Sequence, residues 1–460
     1  MMTVPFNSLA YEHLNDFVFG RATNPLSFSN GMTIGGGMVY PEVNFTLPMM
    51  TITKDTMGEV RRQYEEMATG VCQRAVDLGV PGLVIEVELL PPLTMEPAWG
   101  VEVTKVVKGV LADFEAKHHL PGLLRMTPVD IREGVVEHMW RGRQWDVLME
   151  SFQGCAEAGA DLLAIESVGG KHLHDNAVMY GDIAQSLFAL GVVGTRDMER
   201  LWAGISSVAA STNTIASGDT ACGFANTAMV LADRGYVSKT FSAVVRVISA
   251  VRSLAAYGQG AVGPHKDCGY EGVYVKAITG TPISMEGKTS ACAHLSTVGN
   301  IAGALADLWS NESVENVKLL SGMAPTVYLE QLAYDCRLFN TATANKQELI
   351  LRDLLVESDS ALDPQAYVLR PDVVLAISGE IVKGRSWYER AKIAAAQGIK
   401  VLRTASQTGQ LDLNEREVAY LDSMEAQVAA MEDSEADFTA RMLQESAAVD
   451  FDPAKYDMSV

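Results

Sequence analysis

The feature that most constrains the fold is an alternation that begins near Gly82. From there, short apolar or β-branched runs alternate with longer stretches of helical periodicity, which is the pattern of βαβ units around a parallel sheet. The candidate strands are residues 83–88, 122–126, 162–166, 203–209, 243–248, 281–286, 317–321 and 373–378. Eight such runs predict an α/β fold of the (β/α)₈ TIM-barrel type. A doubly wound open sheet is the alternative, because periodicity alone does not show whether a sheet closes.

The segments outside this alternation define the other predicted domains. Residues 1–80 are an N-terminal extension with a glycine run at 35–37 and a predicted helix over 56–78. Residues 81–380 are the predicted barrel, and residues 381–460 are a C-terminal helical segment. Apolar residues recur there at helical spacing among acidic ones, at Val418, Leu421, Met424, Val428, Met431, Phe438 and Met442. This stripe predicts a helix packed on the barrel or on a second subunit, with a helix that docks another protein as the alternative.

Composition excludes several classes of protein. The chain has 460 residues, 48% of them hydrophobic, and a formal charge of −21. So acidic a surface repels phosphate backbones, which disfavours nucleic acid as a partner. The sequence shows neither a basic and apolar leader at its N-terminus nor an apolar run long enough to span a bilayer, so we expect a cytoplasmic protein. In that compartment its six cysteines should be free thiols; they are Cys72, Cys155, Cys222, Cys268, Cys292 and Cys336.

Three short motifs resemble known sites but lie in the wrong context. Residues 258–263 match the dinucleotide fingerprint, yet a helix-like stretch precedes them where a strand is required. Residues 287–289 resemble a phosphate-binding loop, but the upstream glycine is replaced by Pro282. His172 and His174 have a spacing suited to a metal. They follow a glycine-led loop, however, where ordinary polar roles are favoured.

A more informative set of residues follows three consecutive predicted units. Glu166 ends an apolar strand, Cys222 lies in a loop of small residues that enters a helix, and Cys268 lies in the next connection. Active sites of barrels are built where the strands end. Two thiolates and a carboxylate would leave one tetrahedral position of a zinc ion open, as in catalytic sites. From spacing alone, two structural cysteines and a capping glutamate are the favoured interpretation.

Several stretches of the chain are long and unusual in sequence. The longest runs from Lys266-Asp267-Cys268-Gly269-Tyr270-Glu271 to Met285-Glu286-Gly287-Lys288, and the others are 41–48, 86–94, 291–296, 307–313 and 323–332. Together they resemble the methanol-activating subunit of methanol–corrinoid methyltransferases, and the similarity covers nearly the whole chain.

The resemblance implies a TIM barrel that holds one zinc ion through Glu166, Cys222 and Cys268. It also implies an enzyme that transfers the methyl group of methanol to Co(I) of a corrinoid carried by a separate protein, in methanogenesis or methylotrophic acetogenesis. The chain itself shows no corrinoid-binding signature. A homodimer of this chain is then expected as the core of a heterotetramer. Cys292 is the substitute ligand should Cys268 not bind the metal.

Four residues near the predicted ligands are candidates for protonating the leaving hydroxide. We single out Asp219 and His172 as catalytic candidates beside Glu166, followed by His174 and Asp267. Three alternatives remain open at this point: the same chemistry on another methyl donor such as a methylated thiol, a zinc hydrolase that uses His172 and His174, and a non-catalytic scaffold for the corrinoid protein.

Overall fold

A computed structural model describes residues 4–46, 49–132, 136–266, 268–313, 317–446 and 451–459. Within them, two antiparallel strands form a separate hairpin, and seven strands form one parallel sheet in the order β7-β6-β5-β4-β3-β9-β8. The strands are β1 (Arg21–Ser27), β2 (Thr33–Gly36), β3 (Tyr40–Phe45), β4 (Leu83–Leu89), β5 (Gly122–Pro128), β6 (Leu162–Ile165), β7 (Ile215–Asp219), β8 (Ser284–Glu286) and β9 (Leu308–Asn311). Because all seven strands are parallel, their C-terminal ends lie together at one end of the sheet, which is called its C-terminal edge below.

The segment 262–266 forms backbone hydrogen bonds with both outermost strands of this sheet, β7 and β8. The N–H groups of Val262 and Gly263 donate to carbonyl groups of β7, at 2.9 and 2.7 Å. On its other side, His265 forms a parallel bridge with Ile283, immediately before β8. The segment therefore lies between the first and last strands of the sheet.

The helices cover the outside of the sheet and fill the C-terminal part of the chain. They are α1 (Met57–Asp77), α2 (Pro91–Met95), α3 (Pro97–His118), α4 (Arg143–Glu157), α5 (Lys171–Tyr180), α6 (Ile183–Leu187), α7 (Thr195–Thr212), α8 (Thr227–Asp233), α9 (Lys239–Tyr257), α10 (Gly272–Thr279), α11 (Lys288–Ala293), α12 (Ala324–Ala344), α13 (Glu348–Ser360), α14 (Pro364–Tyr367), α15 (Pro371–Ile381), α16 (Trp387–Gln407), α17 (Glu415–Ala430) and α18 (Glu435–Glu445). The helix predicted over 56–78 is confirmed as α1. By length and composition α9 could cross a bilayer, but its residues from Thr240 to Tyr257 are all buried inside the protein.

The sequence prediction of strands was right for four of the eight runs. Residues 83–88, 122–126 and 162–166 match β4, β5 and β6, and 281–286 contains β8. Residues 203–209, 243–248 and 373–378 are wrong, because they lie in α7, α9 and α15, and 317–321 is not a strand. The run in α9 misled because residues 240–257 are buried on every side, and residues 243–248 contain only one polar residue, Arg246. A short apolar run of that kind cannot be distinguished from a strand by periodicity.

The boundary predicted at residue 80 is also wrong, because β3 lies inside the supposed extension. Residues Glu42 to Phe45 pair in parallel with β4, and Tyr40 to Val43 pair with β9 on the other side. The strand is therefore in the interior of the sheet. It was missed because Glu42 and Asn44 alternate with its apolar residues and interrupt the apolar run.

The inner face of the sheet is apolar at its base and charged above it. A separate core cluster lies at the base, where the hairpin and the first positions of the strands meet: Met32, Ile34, Tyr40, Val84, Leu123, Leu162 and Leu308. Side chains alternate between the two faces of a strand, so the residue two positions further along each strand points to the same inner face. There Glu42 and Arg125 form a fully buried ion pair of 2.7 Å.

The apolar stripe of the C-terminal helices is part of the chain's own core. Leu421, Met424, Val428, Met431, Phe438 and Met442 are all buried. Helix α17 packs on α16, and Phe438 of α18 stacks on Tyr388 at 4.7 Å between ring centroids. Of the two predicted packings, on the barrel or on a second subunit, these contacts show the stripe packed within the chain itself, with Val418 half-buried.

Candidate metal centre

The structure brings the three predicted ligands together at the C-terminal edge of the sheet. Glu166 follows β6, Cys222 follows β7 at the start of a π-helical turn, and Cys268 follows the segment 262–266. One carboxylate oxygen and the two Sγ atoms all lie within 4.8 Å of one another. This arrangement is compatible with a single metal ion bound by all three side chains.

The two cysteines of this group contact each other directly. Their Sγ atoms are within disulfide contact, and their Cα atoms are 5.4 Å apart. The expectation of six free thiols therefore does not hold for this pair, while Cys72, Cys155, Cys292 and Cys336 are free. Metal binding by the pair requires its reduced form, because thiolates are the ligands. Cys292, the substitute ligand, is exposed and lies outside the group.

The loop after Glu166 is held through its backbone. The N–H of Ser167 donates to Asp219 at 3.3 Å, and that of Val168 donates to Asp130 at 3.0 Å. Arg252 donates to the carbonyl group of Ser167 at 3.0 Å. Asp219, Asp130 and Arg252 are buried ionisable groups, and hydrogen bonds to such groups are strong. They therefore fix the backbone next to Glu166 and the direction in which its side chain leaves the strand.

A buried carboxylate, Glu271, connects the two cysteine loops. Its Oε1 accepts from the N–H of Ala221 at 2.7 Å, from Ser253 at 2.8 Å, and contacts Nε2 of His265 at 3.1 Å. Burial raises the pKa of Glu271, but the hydrogen bond and charge of His265 and the other donors outweigh burial and hold the pKa below its usual value. Because Glu271 follows Cys268 and binds the residue before Cys222, it fixes one loop against the other. Glu271 is not among the site residues predicted from the sequence.

The predicted proton donors lie in different surroundings. Asp219 is buried and accepts hydrogen bonds from Ser167 and from Trp202, at 3.1 Å; burial raises its pKa. These contacts support the loop after Glu166. His172 is exposed on α5. His174 is buried against the carbonyl group of Phe224, at 3.3 Å, and burial lowers its pKa to about 3. Asp267 lies outside the described residues. The catalytic roles of Asp219 and His172 stay predictions.

Lys266 is the second functional residue that the sequence analysis missed. Its Nζ lies 2.7 Å from Oε1 of Glu166 and 2.8 Å from Oε1 of Glu88, and Glu86 is 3.6 Å away. Burial raises the pKa of Glu86 to about 7, whereas for Glu88 the charge of Lys266 outweighs burial and its pKa is lowered. The pair Glu86 and Glu88 on one face of a strand was the available signal.

Two further carboxyl groups complete this acidic layer. Glu286 ends β8 and is buried, and burial raises its pKa well above the usual value. Glu312 follows β9, and burial raises its pKa also, while its Oε2 lies 3.8 Å from Nε2 of His294. The interior at this edge therefore holds a group of carboxyl groups around the ammonium of Lys266.

The chain is an α/β protein with a parallel sheet. Two thiols and a carboxylate at the C-terminal edge of that sheet form a candidate catalytic metal site. The profile of one family, described as the methanol-cobalamin methyltransferase B subunit, matches residues 3–457. The chain belongs to this family, and its activity is that of the B subunit of a methanol:corrinoid protein co-methyltransferase.

Two relatives show how far this similarity extends. The chain is 40% identical over 434 residues to the methanol–corrinoid protein co-methyltransferase of Methanosarcina barkeri, which covers 93% of each protein. It is also similar to a chain in the crystal structure of the methanol:cobalamin methyltransferase complex MtaBC from Methanosarcina barkeri. The TM-score is 0.94 and the identity 38%, over 98% of this chain and 99% of that one.

Proposed function

We propose that Glu166, Cys222 and Cys268 hold one zinc ion, at which this enzyme activates methanol. The observation that carries the proposal is the approach of the three donor atoms to within 4.8 Å at the end of three adjacent parallel segments. Two thiolates and one carboxylate suit zinc and leave a position for the substrate. When bound, zinc supplies a Lewis acid that makes the hydroxyl group of methanol a better leaving group.

The residues of the chain give this site its orientation. The backbone contacts of Ser167 and Val168 fix the direction of Glu166, and Glu271 fixes the loop of Cys222 against that of Cys268. An alternative zinc hydrolase based on His172 and His174 has no support, because the described Nε2 contact of His174 is to a backbone carbonyl.

The second substrate is the corrinoid of a separate protein, and we place its docking at the C-terminal edge of the sheet. The solved complex MtaBC provides the precedent. Large apolar side chains are exposed on the connections that follow β3, β4, β8 and β9, namely Met49, Met95, Leu295 and Leu320. Exposed apolar groups around a site are typical of a surface that binds another protein. The homodimer core of a heterotetramer rests on the family resemblance, since the C-terminal stripe is buried.

We also propose that the sheet closes into a barrel. The segment 262–266 bonds to both edge strands of the seven-stranded sheet, and as an eighth strand it would close a TIM barrel that runs from β3 to β9. Residues 381–460 then form a helical addition to that barrel. We further propose a cytoplasmic location, because thiols are kept reduced there and the pair Cys222 and Cys268 must be reduced to bind a metal ion.

The test is metal content followed by turnover. Reduced protein should contain about one zinc per chain and should methylate added cob(I)alamin only when methanol is present. Cys222→Ala and Cys268→Ala should each lose most of the metal and at least about 10³-fold in activity, because a ligand and the metal chemistry are lost together. Cys72→Ala and Cys155→Ala are the matched controls, since both thiols are buried and free elsewhere.

The outcomes separate the alternatives. Full zinc occupancy in either ligand variant would remove that cysteine from the site. Wild-type protein with stoichiometric zinc but equal rates with and without methanol would refute methanol as the substrate. A protein without zinc that still binds the corrinoid protein would be the non-catalytic scaffold.

A further inference from the structure

Lys266 is a buried cation at the edge of the candidate metal centre. Its side chain is 3% exposed, and its Nζ donates to Oε1 of Glu166 at 2.7 Å and to Oε1 of Glu88 at 2.8 Å. Glu88 in turn accepts from the amide of Asn44 at 2.8 Å. These contacts form one continuous line, Asn44–Glu88–Lys266–Glu166, which runs from β3 and β4 to the end of β6.

Stability alone is a poor explanation for this arrangement. A buried ion pair loses much of its Coulombic gain to desolvation, and apolar replacements of similar size are often no less stable. Here one ammonium faces Glu86, Glu88 and Glu166, so the carboxylates outnumber it. A local excess of buried negative charge is costly to the fold, and it is located where a divalent cation would offset it.

Lys266 has a specific effect on Glu166. The side chain of Glu166 is 36% exposed and extends beyond the end of its strand, so burial alone does not fix its orientation. A carboxylate held through one oxygen keeps a defined direction and can still offer its other oxygen to a metal ion. The positive charge of the ammonium also partly offsets the negative charge of the Glu166 carboxylate. It thereby reduces the net charge of three anionic ligands around one zinc ion.

We infer that Lys266 is a positioning residue, which holds the carboxylate of Glu166 in the orientation that binds the metal. The inference rests on the proposed metal site. It concerns the contact between Lys266 and Glu166, and it assigns to Lys266 no contact with methanol or with the corrinoid.

The test uses reduced full-length protein loaded with Co²⁺ in place of zinc, because Co²⁺ reports its ligands in its absorption spectrum. Lys266→Met removes the hydrogen bond and the charge at nearly constant volume. Thiolate-to-cobalt charge-transfer bands should remain, because both cysteines are intact, whereas the d–d bands should shift as Glu166 loses its fixed position. Zinc release to a chelator should be about 10- to 100-fold more favourable, the usual effect of losing an outer partner of a ligand. Lys266→Gln, which retains an N–H donor, should show an intermediate change.

Lys276→Met is the matched control for the loss of a buried lysine. Lys276 is fully buried and pairs with Asp307 at 2.8 Å in a different part of the core, so its loss should lower thermal stability and leave the Co²⁺ spectrum unchanged. If Lys266→Met does not fold, Lys266→Gln carries the test alone. A wild-type spectrum and wild-type zinc release in either folded Lys266 variant, or the same change in Lys276→Met, would overturn the inference. Absence of thiolate bands in the wild-type protein would instead refute the metal site itself.

Discussion

The base and the C-terminal edge of the sheet differ sharply although the same strands build both. Leu162 begins β6 inside an apolar cluster, and Glu166 follows the end of that strand in a layer of carboxyl groups. Similarly, Val84 lies at the base of β4, whereas Glu86 and Glu88 on the same face meet Lys266. The base contributes burial of apolar area, and the edge holds charges that cost free energy to bury.

The difference indicates that the two ends can be altered separately. A parallel sheet with its active groups at the C-terminal ends of the strands keeps its stability at the opposite end. We therefore expect substitutions at the base to change the free energy of unfolding, and substitutions at the edge to change metal binding and the dependence on pH. Three experiments test this separation, in addition to those on the cysteines and on Lys266.

The largest effect is expected for Leu162→Ala at the base. Leu162 is fully buried, and its truncation should lower the free energy of unfolding by about 2–5 kcal/mol through lost burial and a residual cavity. Zinc release to a chelator should be unchanged in the folded protein, although Glu166 lies only four residues further along the chain. Denaturant unfolding and chelator titration of the same sample measure both quantities. A parallel loss of zinc affinity would show that the base and the edge are coupled.

The sequence predicted the candidate site better than it predicted the sheet. Glu166, Cys222 and Cys268 carry chemistry that few residue types provide, and the long stretch around Cys268 is similar to the family. Their approach to within 4.8 Å is consistent with that prediction. The strands gave weaker signals. Strand β7 has the sequence Ile-Ala-Ser-Gly-Asp, so only its first two residues are apolar, and the apolar run expected of a buried strand is absent.

The residues that support the site could not be found from the sequence, for a related reason. Lys266 and Glu271 act through contacts with residues that are 50 to 178 positions away in the chain. Asp219 was predicted as a proton donor, whereas its observed contact is with the backbone of Ser167, 52 positions away. Their own sequence neighbours do not distinguish Lys266 and Glu271 from surface charges, and the available signal for Lys266 was the distant pair Glu86 and Glu88 on one face of β4. Helix α9 was wrongly predicted for a similar reason. Almost all of its residues are buried by the rest of the fold, and a buried helix has an apolar run in its sequence that resembles that of a buried strand.

An intermediate effect is expected from Glu86→Gln, and it depends on pH. Burial raises the pKa of Glu86 from 4.5 to about 7, so the folded protein holds a proton there that the unfolded chain releases above pH 4.5. Stability must then fall as pH rises from about 4.5 to 7, by at most about 3 kcal/mol. Because Gln imitates the protonated form, the variant should lack this decrease.

The measurement is the free energy of unfolding of both proteins at pH 5 and at pH 8. The difference between variant and wild type should shift in favour of the variant at the higher pH. Glu59→Gln on the exposed surface of α1 is a control, because hydrogen bonds from Arg62 and Gln63 lower the pKa of Glu59 to about 2. Glu59 is therefore largely ionised in both the folded and the unfolded state from pH 5 to pH 8, and its variant should show little change with pH. A difference between Glu86→Gln and wild type that does not change with pH would mean that Glu86 is ionised in the folded protein throughout this range.

The smallest effect is expected where the C-terminal tail meets the loop after Glu166. The N–H of Gly170 donates to the hydroxyl group of Tyr456 at 3.0 Å, and Tyr456 is 8% exposed. Tyr456→Phe leaves this N–H without its partner, which should cost about 1–2 kcal/mol and raise hydrogen exchange in the loop. Tyr367→Phe, which removes a hydroxyl bonded to Gln410 at 2.6 Å, is the matched control and should leave exchange in that loop unchanged. Since Glu166 is held also through Ser167 and Val168, zinc affinity should change by less than about threefold, on the order of 0.6 kcal/mol. A loss of affinity as large as that expected for Lys266→Met would show that the tail, 286 residues from Gly170, is part of the metal centre and that the edge depends on more of the chain than its own strands.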